Sequence, residues 1–244
     1  MDPRGDQARR HQFHHHARVS EVARGRLVVF EGGEGAGKST QLRRLSARLA
    51  ARGVAFRLFR EPGGTPAGDR IRDLLLHTDA PLAPTTEAAL FIASRAELVA
   101  TELRPALARG EHVLLDRFLL STYAYQVHGR GLSEANVRAA NLLATDGIIP
   151  DLTILFTLSP AAGLARAGAR GSADRIERAD SAFHERVAAA FERFAVPAWQ
   201  AGHPECGPIV PVDASGSEDE VEARVSLALS IGVPDLARAE APVR

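Results

Sequence analysis

The chain has 244 residues; 30 Lys plus Arg are balanced by 30 Asp plus Glu, giving a formal net charge of zero. That balance excludes a dedicated nucleic-acid binder, which carries a basic excess, and 45% apolar with 25% charged residues excludes wholesale disorder. The one cysteine, Cys206, allows neither an intramolecular disulfide nor a cysteine-rich metal site, as expected of a cytoplasmic protein, and no apolar run approaches the ~20 residues that span a bilayer, so no membrane contact is expected.

Residues 1–25 are rich in Arg and His and have no aliphatic periodicity. They are expected to be a disordered extension, and the histidines crowded into 11–16 would bind metal only incidentally. At Arg26 the pattern changes. Leu27–Glu31 reads as a buried parallel strand running into a Gly-rich turn. Ser39 to Arg52 places Leu42, Leu45 and Leu49 on one face of a helix closed by Gly53. A second strand runs from Val54 to Arg60, then a turn over Glu61–Gly64 and helices at about 66–77 and 85–109. Val113–Leu115 is a third strand ending at Asp116, followed by helices near 119–127 and 133–145. Leu152–Leu158 is the fourth strand, and helices at about 160–169 and 180–200 flank an Arg-rich loop. Pro208–Val212 reads as an edge strand, where prolines are tolerated. A helix near 217–230 closes the fold, and 231–244 is expected to fray as a tail. The alternation predicts an α/β fold over 26–230, a parallel sheet of about five strands with helices on both faces.

Gly32-Gly33-Glu34-Gly35-Ala36-Gly37-Lys38-Ser39 fits the P-loop pattern G-x-x-x-x-G-K-S between a predicted strand and a predicted helix. Its glycines let backbone N–H groups turn toward phosphate oxygens, and the following helix adds its positive end. Residues 32–40, through Thr40, are therefore assigned to ATP phosphates. Lys38 bridges the β- and γ-phosphates, and the Ser39 hydroxyl holds Mg²⁺. Lys38 is the only lysine in the chain, so a guanine-reading N-K-x-D motif is excluded and with it a GTPase switch.

Asp116-Arg117 follows the third strand at the carboxyl edge of the sheet, the usual ligand crevice. Asp116 suits Mg²⁺, directly or through water, and Arg117 offers a forked donor to a phosphate. Arg60 ends the second strand at an equivalent edge position. Two arginines near the loop point to a second, phosphorylated substrate. Arg166, Arg170 and Arg175 lie in a Gly-containing stretch expected to be a lid, about 166–178, closing over the transferring phosphoryl group and excluding water. These residues leave open a nucleoside or nucleoside-monophosphate kinase and a non-catalytic ATP-binding protein.

Four blocks, Phe30–Ser39, Arg60–Thr65, Asp116–Gln126 and Asp174–Glu177, together resemble the thymidylate kinase family, in order and spacing, across about 26–230. That resemblance implies ATP-dependent phosphorylation of dTMP to dTDP with Mg²⁺, by a homodimer. It further implies that Glu34 reaches the acceptor's 3′-hydroxyl and that Phe91 stacks on thymine. Arg95, one helical turn on, reads a base carbonyl; Arg60 and Arg117 bind the acceptor phosphate. Ser121 and Thr122 lie near phosphate and base, Tyr125 crowds the 2′ position, and Gln126 lies beside the base. The P-loop lacks an arginine at Gly35 and Ala36, so catalytic duty falls to Lys38, Arg117 and the lid residues Arg166, Arg170 and Arg175. Asp174 and Glu177 either support the metal or anchor the lid.

Overall fold

Side chains of strand β1 (Leu27–Gly32) alternate between two hydrophobic clusters: Leu27 and Val29 enter one, Val28 and Phe30 the other. β3 (His112–Asp116) divides its residues likewise, Val113 and Leu115 against Leu114. A strand with apolar residues on both faces is buried only if both faces of the sheet are covered. The computed structural model, which describes residues 23–167 and 174–240, has that architecture. Its five strands are all parallel, in the order β2-β3-β1-β4-β5, with β2 Phe56–Arg60, β4 Leu152–Thr157 and β5 Ile209–Asp213. β5 lies at an edge, as its prolines predict. The strand order reverses between β1 and β3, where a doubly wound sheet leaves its ligand crevice.

One face is covered by α1 (Lys38–Ala51), α10 (Glu218–Gly232) and α11 (Pro234–Glu240). The other carries α2 (Pro66–His77), α3 (Pro84–Leu98), α4 (Arg104–Ala108), α5 (Leu119–Thr122), α8 (Ser181–Phe194) and α9 (Pro197–Gly202). α6 (Glu134–Thr145) packs beside α3, and α7 (Pro160–Ala167) follows β4. The helix expected at 85–109 is α3 and α4 joined by a π-helical turn, Val99–Leu103. That expected at 119–127 is α5 running into a second π turn, Tyr123–Gly129; such wide turns recur at functional sites. The helix expected over 180–200 divides at Pro197, because Val196 is forced to extended geometry (φ −81°, ψ 127°).

The largest departure from expectation is at the C-terminus. Residues 234–240 are helical, and Leu236 is fully buried among the residues of α1 and α10. Asp235 accepts a hydrogen bond from Arg26 Nε at 2.8 Å. An isolated leucine after a Pro carries no periodicity, so its partners are supplied only by the fold. Leu236→Ala is expected to cost about 2–4 kcal/mol, read as a lower urea midpoint; an unchanged midpoint would return this segment to a fraying tail. Of the first 25 residues only 23–25 are described, and Gly25 N donates to Leu107 O at 2.9 Å. The expected extension otherwise lies outside the described residues, as do Arg170 and lid positions 168–173.

Candidate active site

The P-loop follows β1 directly. Gly35 (φ +71°) turns against α7, where an added Cβ would lie 2.0 Å from the Gly163 carbonyl oxygen, and Gly37 (φ +87°) enters α1. The loop thus needs glycine for both conformation and space. Lys38 is buried, and its Nζ donates to Gly32 O (3.0 Å) and Gly33 O (2.9 Å). Burial, then the Arg117 charge, lower the Lys38 pKa to about 8 despite the opposing pull of Asp116, Glu34 and Glu31.

β1 and β3 deliver Glu31 and Asp116 to the same sheet edge. Ser39 Oγ donates to Asp116 Oδ2 at 3.1 Å, while Asp116 Oδ1 is buried with no hydrogen-bond partner among the described residues. An orphaned carboxylate oxygen beside a hydroxyl, at the mouth of a phosphate-binding loop, is a hard, all-oxygen donor set of the kind that holds a small divalent cation together with substrate phosphates. No group of three or more His, Cys, Asp or Glu suited to a metal occurs among the described residues, so a cation here would depend on the substrate for further ligands.

Arg117 has a positive φ (69°), and its backbone N–H bonds Phe30 O at 2.9 Å. Its Nη1 reaches Gly32 O (3.2 Å) and Ser121 Oγ (3.0 Å), and its Nη2 reaches Glu34 at 3.4 Å. Fully buried Glu31 accepts from Phe118 N, Ser121 N and Ser121 Oγ at 2.7–3.0 Å, which fixes the first turn of α5. Tyr125 lies under the Arg117 guanidinium at 5.3 Å.

One cleft brings most of the expected residues together. It is lined by residues 34–39, Asp116 and Arg117 at one end, and by Phe91, Arg95, Ser121, Thr122, Tyr125 and Gln126 at the other. Phe91 and Arg95 share it because α3 presents i and i+4 on one face. Arg95, however, is not a free reader of a ligand. It is 1% exposed, and all five of its N–H groups are committed, to Glu61 (2.5 and 2.9 Å), Thr122 (2.9 Å), Asn141 (2.6 Å) and the Phe118 carbonyl (2.8 Å). It could reach a base carbonyl only by sharing a bonded hydrogen.

Other expectations shift as well. Arg60 pairs in register with Asp116 but is exposed and does not line the cleft; Arg72 of α2 lines it instead. Arg72 Nη1 donates to Pro62 O at 2.9 Å, and its pKa is lowered by burial and by the charges of Arg60 and Arg117, although Asp174 opposes them. Cations so placed suit an anionic group. Nothing in the periodicity of α2 marks Arg72, and only the Arg60–Gly64 turn before it hints at the placement. Arg175 departs further: it bonds Leu75 O (2.7 Å) and Glu87 (2.8 Å), away from the P-loop, because Glu87 is a buried acid needing cations. Arg166 donates to Ala214 O at 3.0 Å. In this conformation neither lines the cleft, and Arg170 is not among the described residues. Asp174 Oδ1 caps the turn by accepting from Ile176 N and Glu177 N, and Glu177 accepts from Asp174 N. Both line the cleft together with His184, which the sequence did not single out.

A family profile described as thymidylate kinase matches residues 30–223. A thymidylate kinase of Deinococcus radiodurans is 47% identical over 209 residues, 86% of this chain and 98% of that protein. One from Synechococcus sp. (strain JA-2-3B'a(2-13)) is 46% identical over 199 residues, 82% of this chain and 91% of that protein. One from Pseudomonas putida (strain GB-1) is 49% identical over 168 residues, covering 68% and 80% respectively.

Proposed function

The chain belongs to the thymidylate kinase family, and from that premise we infer that it transfers the γ-phosphoryl group of ATP to the phosphate of dTMP, giving ADP and dTDP. The observation that carries this reading is a single cleft with a P-loop at one end, a half-exposed aromatic between polar groups at the other, and Arg72 and Arg117 beside it.

In this reading the acceptor phosphate needs no general base, because it is already an anion. One of its oxygens forms the new bond to the γ-phosphorus as the bond to the β-bridging oxygen breaks. The protein supplies position and charge. Loop N–H groups and Lys38 hold the ATP phosphates. Arg117, braced by Ser121 and Tyr125, holds the acceptor phosphate with Arg72, and Arg60 assists from the sheet edge. Phe91 stacks on the base, Thr122 and Gln126 meet its edge, and Glu34 reaches the sugar. Tyr125 crowds the 2′ position. Arg166, Arg170 and Arg175 serve as lid arginines; for Arg166 and Arg175 this requires movement, since both have other partners here.

Mg²⁺ fits Asp116 and Ser39 through the orphaned carboxylate oxygen; when bound it neutralises charge on the phosphates. Asp116→Asn is expected to lower kcat/KM by about 100-fold and to raise the Mg²⁺ concentration needed for half-maximal rate. An unchanged Mg²⁺ requirement would remove Asp116 from the metal site.

We extend the reading to a homodimer, supported by exposed Leu74 on α2 and Leu142 and Leu143 on α6, and to the cytoplasm, supported by one buried free cysteine. No helix among the described residues is long and apolar enough to cross a membrane. The deciding experiment is a coupled assay offering ATP with dTMP, dUMP, dCMP or AMP. Preferential turnover of dTMP is expected; binding of ATP with no acceptor phosphorylated would end the kinase reading.

A further inference from the structure

Glu87 lies on α3 four residues before Phe91 and eight before Arg95, so the three form one stripe on the helix. It is 1% exposed and does not line the cleft. Its carboxylate accepts four hydrogen bonds: Gln126 Nε2 (3.0 Å) and Arg130 Nε (3.1 Å) on Oε1, Arg130 Nη2 (3.0 Å) and Arg175 Nη2 (2.8 Å) on Oε2. Burial alone would raise its pKa, but the bonds from Arg130, Arg175 and Gln126 outweigh this and hold it below the usual carboxylate value. Glu87 is therefore ionised at neutral pH and can only accept.

An accepting carboxylate decides which end of a carboxamide faces it. The two ends of Gln126 are nearly isosteric, and rotation about χ3 is otherwise soft. With Nε2 held by Glu87, Oε1 remains, and it has no hydrogen-bond partner among the described residues. On the same stripe, Arg95 donates to Thr122 Oγ1 and leaves the Thr122 hydroxyl proton to be given elsewhere. The cleft edge thus presents one acceptor, Gln126 Oε1, and one donor, the Thr122 hydroxyl.

We propose that Glu87 is a specificity-determining positioning residue, fixing the Gln126 carboxamide so that the cleft admits a pyrimidine with an N–H at position 3 and a carbonyl at position 4, and rejects one with the reverse polarity. Thymine and uracil have the first pattern. Cytosine has a bare N3 and a 4-amino group, which would set acceptor against acceptor and donor against donor. Glu87 acts only through Gln126. The proposal rests on the reading that places Gln126 at the base edge.

The test is kcat/KM for dTMP, dUMP and dCMP in the wild type, Glu87→Gln, Gln126→Ala and the double variant. A carboxamide at 87 can accept or donate, so Gln126 is released to turn. Glu87→Gln should lower the dTMP-to-dCMP ratio about tenfold or more and leave the dTMP-to-dUMP ratio unchanged, because those bases share the same edge. In the Gln126→Ala background it should change the dTMP-to-dCMP ratio no further. Arg130→Gln, which removes a partner of Glu87 but not the acceptor for Gln126, should leave that ratio at the wild-type value. If Glu87→Gln does not fold, Glu87→Asp keeps the charge near Arg130 and Arg175 while shortening the reach to Gln126, and the same fall in ratio is expected.

An unchanged ratio in a folded Glu87 variant overturns the proposal. So does a uniform loss for all three substrates, or an effect that persists without Gln126. A wild-type ratio in Gln126→Ala overturns the base-edge assignment of Gln126 and the proposal with it. A wild type that phosphorylates none of the three overturns the proposed function itself.

Discussion

Lys38→Ala is expected to reduce kcat by about 1,000-fold while unfolding in urea stays within about 1 kcal/mol of the wild type. The two consequences separate because Lys38 is held for function at some cost. Its ammonium is buried, with two loop carbonyls as its hydrogen-bond acceptors, and the lowered pKa of about 8 records the penalty. Phosphate oxygens would add negative charge to that already supplied by Asp116, Glu34 and Glu31. Removing the side chain loses two hydrogen bonds but also removes a desolvated charge, so stability changes little. Activity within tenfold of wild type would sink the P-loop assignment.

The same shift gives a pH dependence with two opposite signs. The ammonium is present below about pH 8 in the free protein and lost above it, so ATP affinity of the free enzyme should fall as pH rises through about 8. For folding, the pKa is depressed from 10.5 to about 8, so over that window the unfolded chain binds the proton more tightly. Stability from this group is absent below pH 8 and grows as pH rises toward 10.5. Wild type should therefore gain stability relative to Lys38→Met across that interval, while losing affinity for ATP.

Arg95→Ala is expected to destabilise the fold by about 3–5 kcal/mol, a larger loss than a base-reading role alone would cause. Glu61 is 5% exposed; burial raises its pKa despite Arg95, so removing Arg95 leaves an uncompensated acid. Thr122, Asn141 and the Phe118 carbonyl lose their donor as well. Adding Glu61→Gln to Arg95→Ala should recover part of the loss, because the stranded charge is then gone. A urea midpoint equal to wild type, accompanied by a raised KM for dTMP, would instead make Arg95 a ligand contact with no structural burden.

Much of the fold is legible in the sequence. The P-loop is local: its glycines, lysine and serine are consecutive, and the strand before and helix after it have their own periodicity. The parallel sheet followed from the alternation of apolar runs with amphipathic stretches, and Phe91 and Arg95 came from the family resemblance, with their helical spacing as added support. The cleft's other wall required the fold. Arg72 lies in the middle of α2 with no motif of its own, and it enters the site only because α2 runs beside Arg117. Glu87 sits in the first turn of α3 like any exposed acid, yet the fold buries it between Gln126, Arg130 and Arg175.

The sequence by itself determined the phosphate-binding loop motif and the class of fold, because each depends on neighbours within a turn or two of chain. Only the tertiary structure decided how the polar groups are shared out. Which arginines are spent on a buried carboxylate, and which end of Gln126 is left for a ligand, depend on partners 39 to 88 residues away. Hydrogen-bond saturation is a property of three-dimensional neighbourhoods, and periodicity carries no record of it.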